Sequence, residues 1–149
     1  ASLRELNGNS YQVLMLVDID DFKTVNDTMG HAFGDEVLRS LAVRLQSMFR
    51  ATDIVGRTGG DEFMVFLKDI REISMIEREG KKIEQFFHQF EVGEYVKYSV
   101  TASVGAAVFP GDGKSFEELY KAADNALYVS KRHGKNQLSF YKKPGNETK

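Results

Sequence analysis

Apolar and polar positions alternate with recognisable periods along most of the chain. Tyr11 to Val17 is a short, unbroken apolar run and reads as a buried strand. Asp18-Ile19-Asp20-Asp21 follows it directly. Phe22, Val25 and Met29 then recur at helical spacing, with Gly30 as the stop. Val37, Leu38, Leu41, Leu45, Met48 and Phe49 form the apolar stripe of a longer helix, expected from about Asp35 to Arg50. Two short strands, Asp53 to Arg57 and Glu62 to Leu67, are joined at Gly59-Gly60, where a primed turn with positive φ is expected. Ile73, Ile76, Ile83, Phe86, Phe87 and Phe90 mark another amphipathic helix, weakened by Gly80. Val100, Ala102, Val104, Ala106 and Val108 alternate as in a strand. Ser115 and Glu118 make a capping box for a last helix, whose inward face is read as Phe116, Leu119, Ala123, Leu127 and Ser130. Gly134 ends it, and Gln137 to Tyr141 reads as a closing strand.

The order is βαββαβ followed by one more α and β. The predicted class is therefore α+β: a ferredoxin-like, palm-type sheet with helices packed on it and an added C-terminal αβ unit. In that topology the first strand lies beside the third. Asp18 is then expected next to Gly59-Gly60-Asp61-Glu62 at one rim of the sheet.

Composition narrows what such a fold can do. With 149 residues and 42% hydrophobic content, one domain with a real core is expected over the whole chain, with Lys142 to Lys149 as a polar tail. Twenty basic residues against 22 acidic ones leave a net charge of −2, so no general attraction to nucleic acid or anionic membrane is expected. A phosphate ligand would need a local site. Cysteine is absent, which excludes disulfides and thiolate metal sites. The longest aliphatic run, Val13 to Val17, is far short of the ~20 residues of a membrane helix, and the start lacks the apolar core of a signal peptide. A cytoplasmic domain is expected, in a protein that another domain could anchor to a membrane.

Converging carboxylates need a cation. Asp18, Asp61 and Glu62 have no opposing Lys or Arg nearby in sequence, and their hard oxygens suit Mg²⁺. Two such ions can activate an attacking hydroxyl and stabilise a leaving oxygen. A position of Asp18 far from Asp61, or a salt bridge plugging the gap between them, would end the enzymatic reading. Asp20 and Asp21 are read as caps of the short helix. Lys131 and Lys135, one turn apart, suit phosphate or the helix dipole, and Lys23 is equally ambiguous. Asn26 and Asp35 suit guanine recognition or a helix end and an N-cap.

Arg57-Thr58-Gly59-Gly60-Asp61-Glu62-Phe63 resembles the signature of the GGDEF family of diguanylate cyclases. Asp18-Ile19-Asp20-Asp21-Phe22-Lys23, Asn26-Asp27, Gly30-His31, Gly34-Asp35, Ser103-Val104-Gly105, Ala123 to Tyr128, Lys131 and Gly134-Lys135-Asn136 fit the family in order and spacing. The resemblance implies an enzyme that condenses two GTP into cyclic di-GMP with release of two pyrophosphates. Asp18, Asp61 and Glu62, assisted by the Ile19 carbonyl, would hold Mg²⁺ (or Mn²⁺), two ions per active half-site. Asp61 and Glu62 would be catalytic, with Asp61 the base for the ribose 3′-hydroxyl. Gly60 would leave room for GTP. Asn26 and Asp35 would select guanine, and Leu38 would line its pocket. The backbone near Phe22 and Lys23, with Lys131 and Lys135, would hold the β- and γ-phosphates. Arg is common where Lys135 stands; Lys keeps the charge and loses the bidentate fork. Two domains facing each other as a homodimer would be required.

Arg50-Ala51-Thr52-Asp53 resembles the family's product-inhibition motif, in which Arg50 and Asp53 would bind cyclic di-GMP. Taken alone, an Arg at a helix end beside a strand-opening Asp is unremarkable. Family domains usually begin with a D-x-L-T-G-L-x-N-R segment that does not precede Tyr11, so a trimmed domain is expected, with a sensory domain upstream in the full protein. The rival reading is a catalytically silent module of the same family that binds GTP or cyclic di-GMP as a sensor. A further rival is another nucleotidyl cyclase or polymerase palm, against which Asp35 favours guanine.

Overall fold

A computed structural model describes residues 11–50, 53–88 and 100–142. The apolar run becomes β1 (Tyr11–Ile19), which extends two residues beyond Val17, so Asp18 lies inside the strand. Then follow α1 (Phe22–Met29), α2 (His31–Met48), β2 (Ile54–Arg57), β3 (Glu62–Ile70), α3 (Ile73–His88), β4 (Ala102–Phe109), α4 (Phe116–Arg132) and β5 (Leu138–Phe140). The strands form one sheet in the order β2-β3-β1-β4-β5. β1 is antiparallel to both β3 and β4, and β5 adds parallel to β4. The expected neighbourhood of first and third strands is therefore present.

Both faces of the central strands are covered, which explains why β1 is apolar without alternation. Val13, Met15, Val17 and Ile19 enter a core with Phe33, Val37, Leu41 and Leu45 of α2. Leu14 and Leu16 point the other way, into a smaller core with Leu119, Ala122, Ala123 and Leu127 of α4. Asp18 continues that second face.

Several boundaries differ from the sequence expectation. The second helix starts at His31 rather than Asp35, because Gly30 at φ 93 turns the chain directly from α1 into α2. Asp35 is thus inside the helix and is not its N-cap. Gly34 permits the close crossing: a Cβ there would sit 1.8 Å from Asn26 Oδ1. Gly59 and Gly60 do not form a primed turn. Thr58 to Asp61 make a longer connection closed by Thr58 N–H donating to the Glu62 carbonyl at 2.9 Å, and the positive-φ glycines among the described residues are Gly30 and Gly134. Neither Asp20 nor Asp21 caps α1 through its side chain; Asp21 at the N-cap is itself left-handed, at φ 54. Ser115 does cap α4, accepting from Glu118 N–H at 3.1 Å. Phe116, read as inward, is 55% exposed. Phe90, the Arg50–Asp53 interior and most of the polar tail lie outside the described residues. No helix among the described residues is long and apolar enough to cross a membrane.

Candidate active site

The site is built on the central strand. Asp18 pairs in register with Glu62 on β3 and with Ser103 on β4, and Ile19 N–H donates to the Asp61 carbonyl at 3.2 Å. Asp61 thus sits at the rim beside Asp18, close enough that its charge perturbs the Asp18 carboxyl. Burial, opposed by Lys131 and reinforced by Asp61, pushes the Asp18 pKa up to about 6.

The opposing cation comes from α4. Lys131, near the end of that helix, donates through Nζ to Asp18 Oδ2. Burial works against its ammonium, but the Asp18 hydrogen bond and the charges of Asp18, Asp61 and Asp20 prevail and raise its pKa. The partner that no sequence neighbour of Asp18 supplies thus arrives from 113 positions away. Lys131 is still 37% exposed on its side chain, and it leaves Asp18 Oδ1 buried without any partner. A buried orphan carboxylate oxygen next to a second carboxylate suits a hard divalent cation, so the residues present fit Mg²⁺.

Glu62 does not complete a triad of free carboxylates. Its Oε1 accepts from Thr58 Oγ1 at 2.7 Å and from Tyr120 OH at 2.8 Å. Among the described residues, no three His, Cys, Asp or Glu side chains converge as a ready-made metal cage. A cation held here would take other ligands from water or phosphate.

The remaining expected residues fall around this rim. Lys135 reaches back to Asp21 at 2.6 Å, placing it at the end of β1, whereas Lys23 pairs with Asp27 in solvent. Asp35 and Leu38 line a cavity of about 280 Å³ with Arg39, Val55, Gly56 and Phe63. Asn26 is not in that lining; its Oδ1 is buried and unpartnered against Gly34. An added Cβ at Gly60 would meet nothing within 4 Å, so the loop is open to a ligand. A larger cavity of about 800 Å³ between α4 and β5, lined by Tyr128, Val129 and Phe140 among others, holds none of the expected residues.

Arg50 and Asp53 engage each other. Arg50 Nε and Nη2 fork onto the two Asp53 oxygens, each at 3.2 Å, and Nη2 also donates to the Lys68 carbonyl. Asp53 further accepts from the Arg50 and Lys68 N–H groups, and its side chain is only 2% exposed. The hydrogen bond to Asp53 raises the Arg50 pKa.

Sequence reasoning missed three residues. Arg57 braces the glycine loop by donating to the Gly59 and Gly60 carbonyls at 3.1 and 3.0 Å. Tyr120 fixes Glu62. Asp20 is a buried tether rather than a cap. The adjacency of Arg57 to the glycines was a usable signal. The other two needed the strand register and the packing of α4.

These features define a palm-type α+β domain with a carboxylate-lined rim. The profile of the family described as "Diguanylate cyclase, GGDEF domain" matches residues 2–137, and the chain belongs to that family. Diguanylate cyclase DosC of Escherichia coli K12 is 37% identical over 132 residues, covering 87% of this chain and 28% of DosC. The chain thus spans less than a third of that relative. An EAL/GGDEF domain protein from M. capsulatus is 34% identical, with TM-score 0.82 over 96% of this chain and 90% of that one. The GGDEF domain of DgcB from Caulobacter crescentus, solved with c-di-GMP, is 29% identical, with TM-score 0.78 over 90% and 80%.

Proposed function

We propose that this chain is a working diguanylate cyclase domain, which binds GTP with divalent cations and joins two GTP into cyclic di-GMP as half of a two-fold dimer. One observation carries the reading: Asp18 lies beside Asp61 on the central strand, with one buried oxygen unpaired and the other held by Lys131. Asp18, Asp61, Glu62 and the Ile19 carbonyl hold Mg²⁺, which supplies charge neutralisation and hydroxyl activation when bound. Lys131 marks where positive charge is wanted. When the nucleotide enters, its ammonium exchanges the Asp18 carboxylate for phosphate oxygens, and Lys135 likewise leaves Asp21. The backbone at Phe22 and Lys23 lies at the α1 N-terminus, which suits phosphate. Asp35, Leu38 and Asn26 select guanine, and the open loop at Gly60 admits the nucleotide. Asp61 takes the 3′-hydroxyl proton. Positioning and charge neutralisation provide most of the acceleration.

Product inhibition belongs to the same reading. Arg50 is half-exposed while its carboxylate partner is buried, so cyclic di-GMP meets the guanidinium first and must compete for its donors. The rival silent sensor is favoured by the Lys131–Asp18 pair, which neutralises the site without metal. One experiment separates the two: incubation with GTP, or with ATP, and Mg²⁺, read by mass spectrometry. Cyclic di-GMP from GTP alone is expected, and Asp61→Asn lowers the rate by ~10²–10⁴-fold, the usual weight of a general base. GTP binding by calorimetry without any product would establish the sensor instead.

A further inference from the structure

Asp20 is 5% exposed and none of the proposed roles uses it, although it carries more hydrogen bonds than its neighbours. Its Oδ1 accepts from Ser103 Oγ at 2.6 Å. Its Oδ2 accepts from Thr101 Oγ1 at 2.6 Å and from the backbone N–H of Asn136 at 3.0 Å. Its own N–H donates to the Thr101 carbonyl at 2.8 Å. The carboxylate therefore ties the end of β1 to the entry of β4 and to the loop after α4.

That loop is held in a conformation that needs a restraint. Lys135 and Asn136 are consecutive non-glycine residues at φ 65 and 52, a region disfavoured by the Cβ atom. Lys135 N–H closes the helix end on the Ser130 carbonyl at 2.9 Å, and Asn136 N–H is turned inward onto Asp20 and Ser103. This turn sends the Lys135 side chain back over β1, to Asp21. Gln137 Nε2 also steadies the turn, donating to the His133 and Lys135 carbonyls at 2.8 and 3.1 Å, but Asp20 supplies the charged acceptor that holds Asn136 N–H inward.

We propose that Asp20 is a positioning residue that fixes Lys135 over the rim, and so sets the affinity for the terminal phosphates of the nucleotide without touching it. The proposal rests on the GTP-binding reading. It says that the acid at this position acts through a backbone amide on the far side of the site, and that its effect is confined to the phosphate end.

Asp20→Asn keeps the shape and removes the charge. In the ligand-free chain, hydrogen exchange of the Asn136 amide should accelerate about tenfold or more, while β1 and β3 amides stay protected. With Mg²⁺, calorimetry should show GTP bound about tenfold more weakly and GMP unchanged, as for loss of one charge-assisted contact. Added to Lys135→Ala, the Asp20 substitution should cause no further loss, since both act through one group. Thr101→Val, which deletes one donor to the carboxylate, should move the same readouts in the same direction if Asp20→Asn fails to fold. Unchanged Asn136 exchange overturns the tether. Equal losses for GTP and GMP, or additive losses with Lys135→Ala, overturn the positioning role and leave the cyclase reading intact. Absence of GTP binding by the wild-type chain overturns both.

Discussion

At the residue scale, the central quantity is the cost of an ionised Asp18. Its carboxyl titrates at about 6 in the fold, against 3.8 as the ordinary value, mainly because burial disfavours the charge. A raised carboxyl pKa means that the native state binds the proton more tightly than the unfolded chain. The associated stability is complete below about pH 3.8 and is lost as pH rises through about 6. Asp18→Asn, which stays neutral, should therefore raise the melting temperature at pH 8 without divalent ions. The gain should shrink toward pH 4, and thermal scans across that range check it. An Asn variant that melts lower than wild type at pH 8 would mean that the Lys131 pair outweighs burial. Such a site trades stability for a ligand: the orphan oxygen that costs the free chain is the one a cation would repay.

At the element scale, the site depends on how closely α4 packs on the sheet. The β4 positions facing it are Ser103, Gly105 and Ala107, and the helix answers with Ala122, Ala123 and Ser130. Small residues on both sides let the backbones approach. A Cβ on Gly105 would lie 2.2 Å from Leu127 N and 2.4 Å from the Ala123 carbonyl oxygen. Gly105→Ala must lift the helix, and with it Tyr120 and Lys131 from Glu62 and Asp18. Overpacking of this kind costs about 1–3 kcal/mol, so urea unfolding should show a loss in that range or above. Activity should fall beyond the loss in folded fraction, because the lysine and tyrosine ride on the same helix. The family motif at Ser103-Val104-Gly105 thus has a packing reason quite apart from chemistry.

At the scale of the whole molecule, one chain carries one rim, and the proposed joining of two GTP requires two. Specific activity should therefore rise with protein concentration until dimers saturate, as assays across a dilution series would show. Added cyclic di-GMP should suppress that activity, and Arg50→Ala should relieve the suppression. A rate strictly proportional to concentration down to high dilution would argue against the two-chain arrangement. Undiminished inhibition of the Arg50 variant would remove Arg50 from the inhibitory site.

The sequence by itself determined the order of elements, the pairing of first and third strands, and the family, because periodicity and turn chemistry are local and the motifs are contiguous. It also placed Asp18 near Asp61, since that follows from topology alone. It misread Asp20 as a cap and Asp35 as a helix start, and it did not foresee the Thr58 and Tyr120 hydroxyls that hold Glu62. The partners of these groups depend on register and on helix approach, which no local pattern encodes. Lys131 meets Asp18 across 113 positions, and Asn136 N–H meets Asp20 across 116. Whether an acid is free, paired or buried is set by what lies within a few ångströms, and only the tertiary structure decided that.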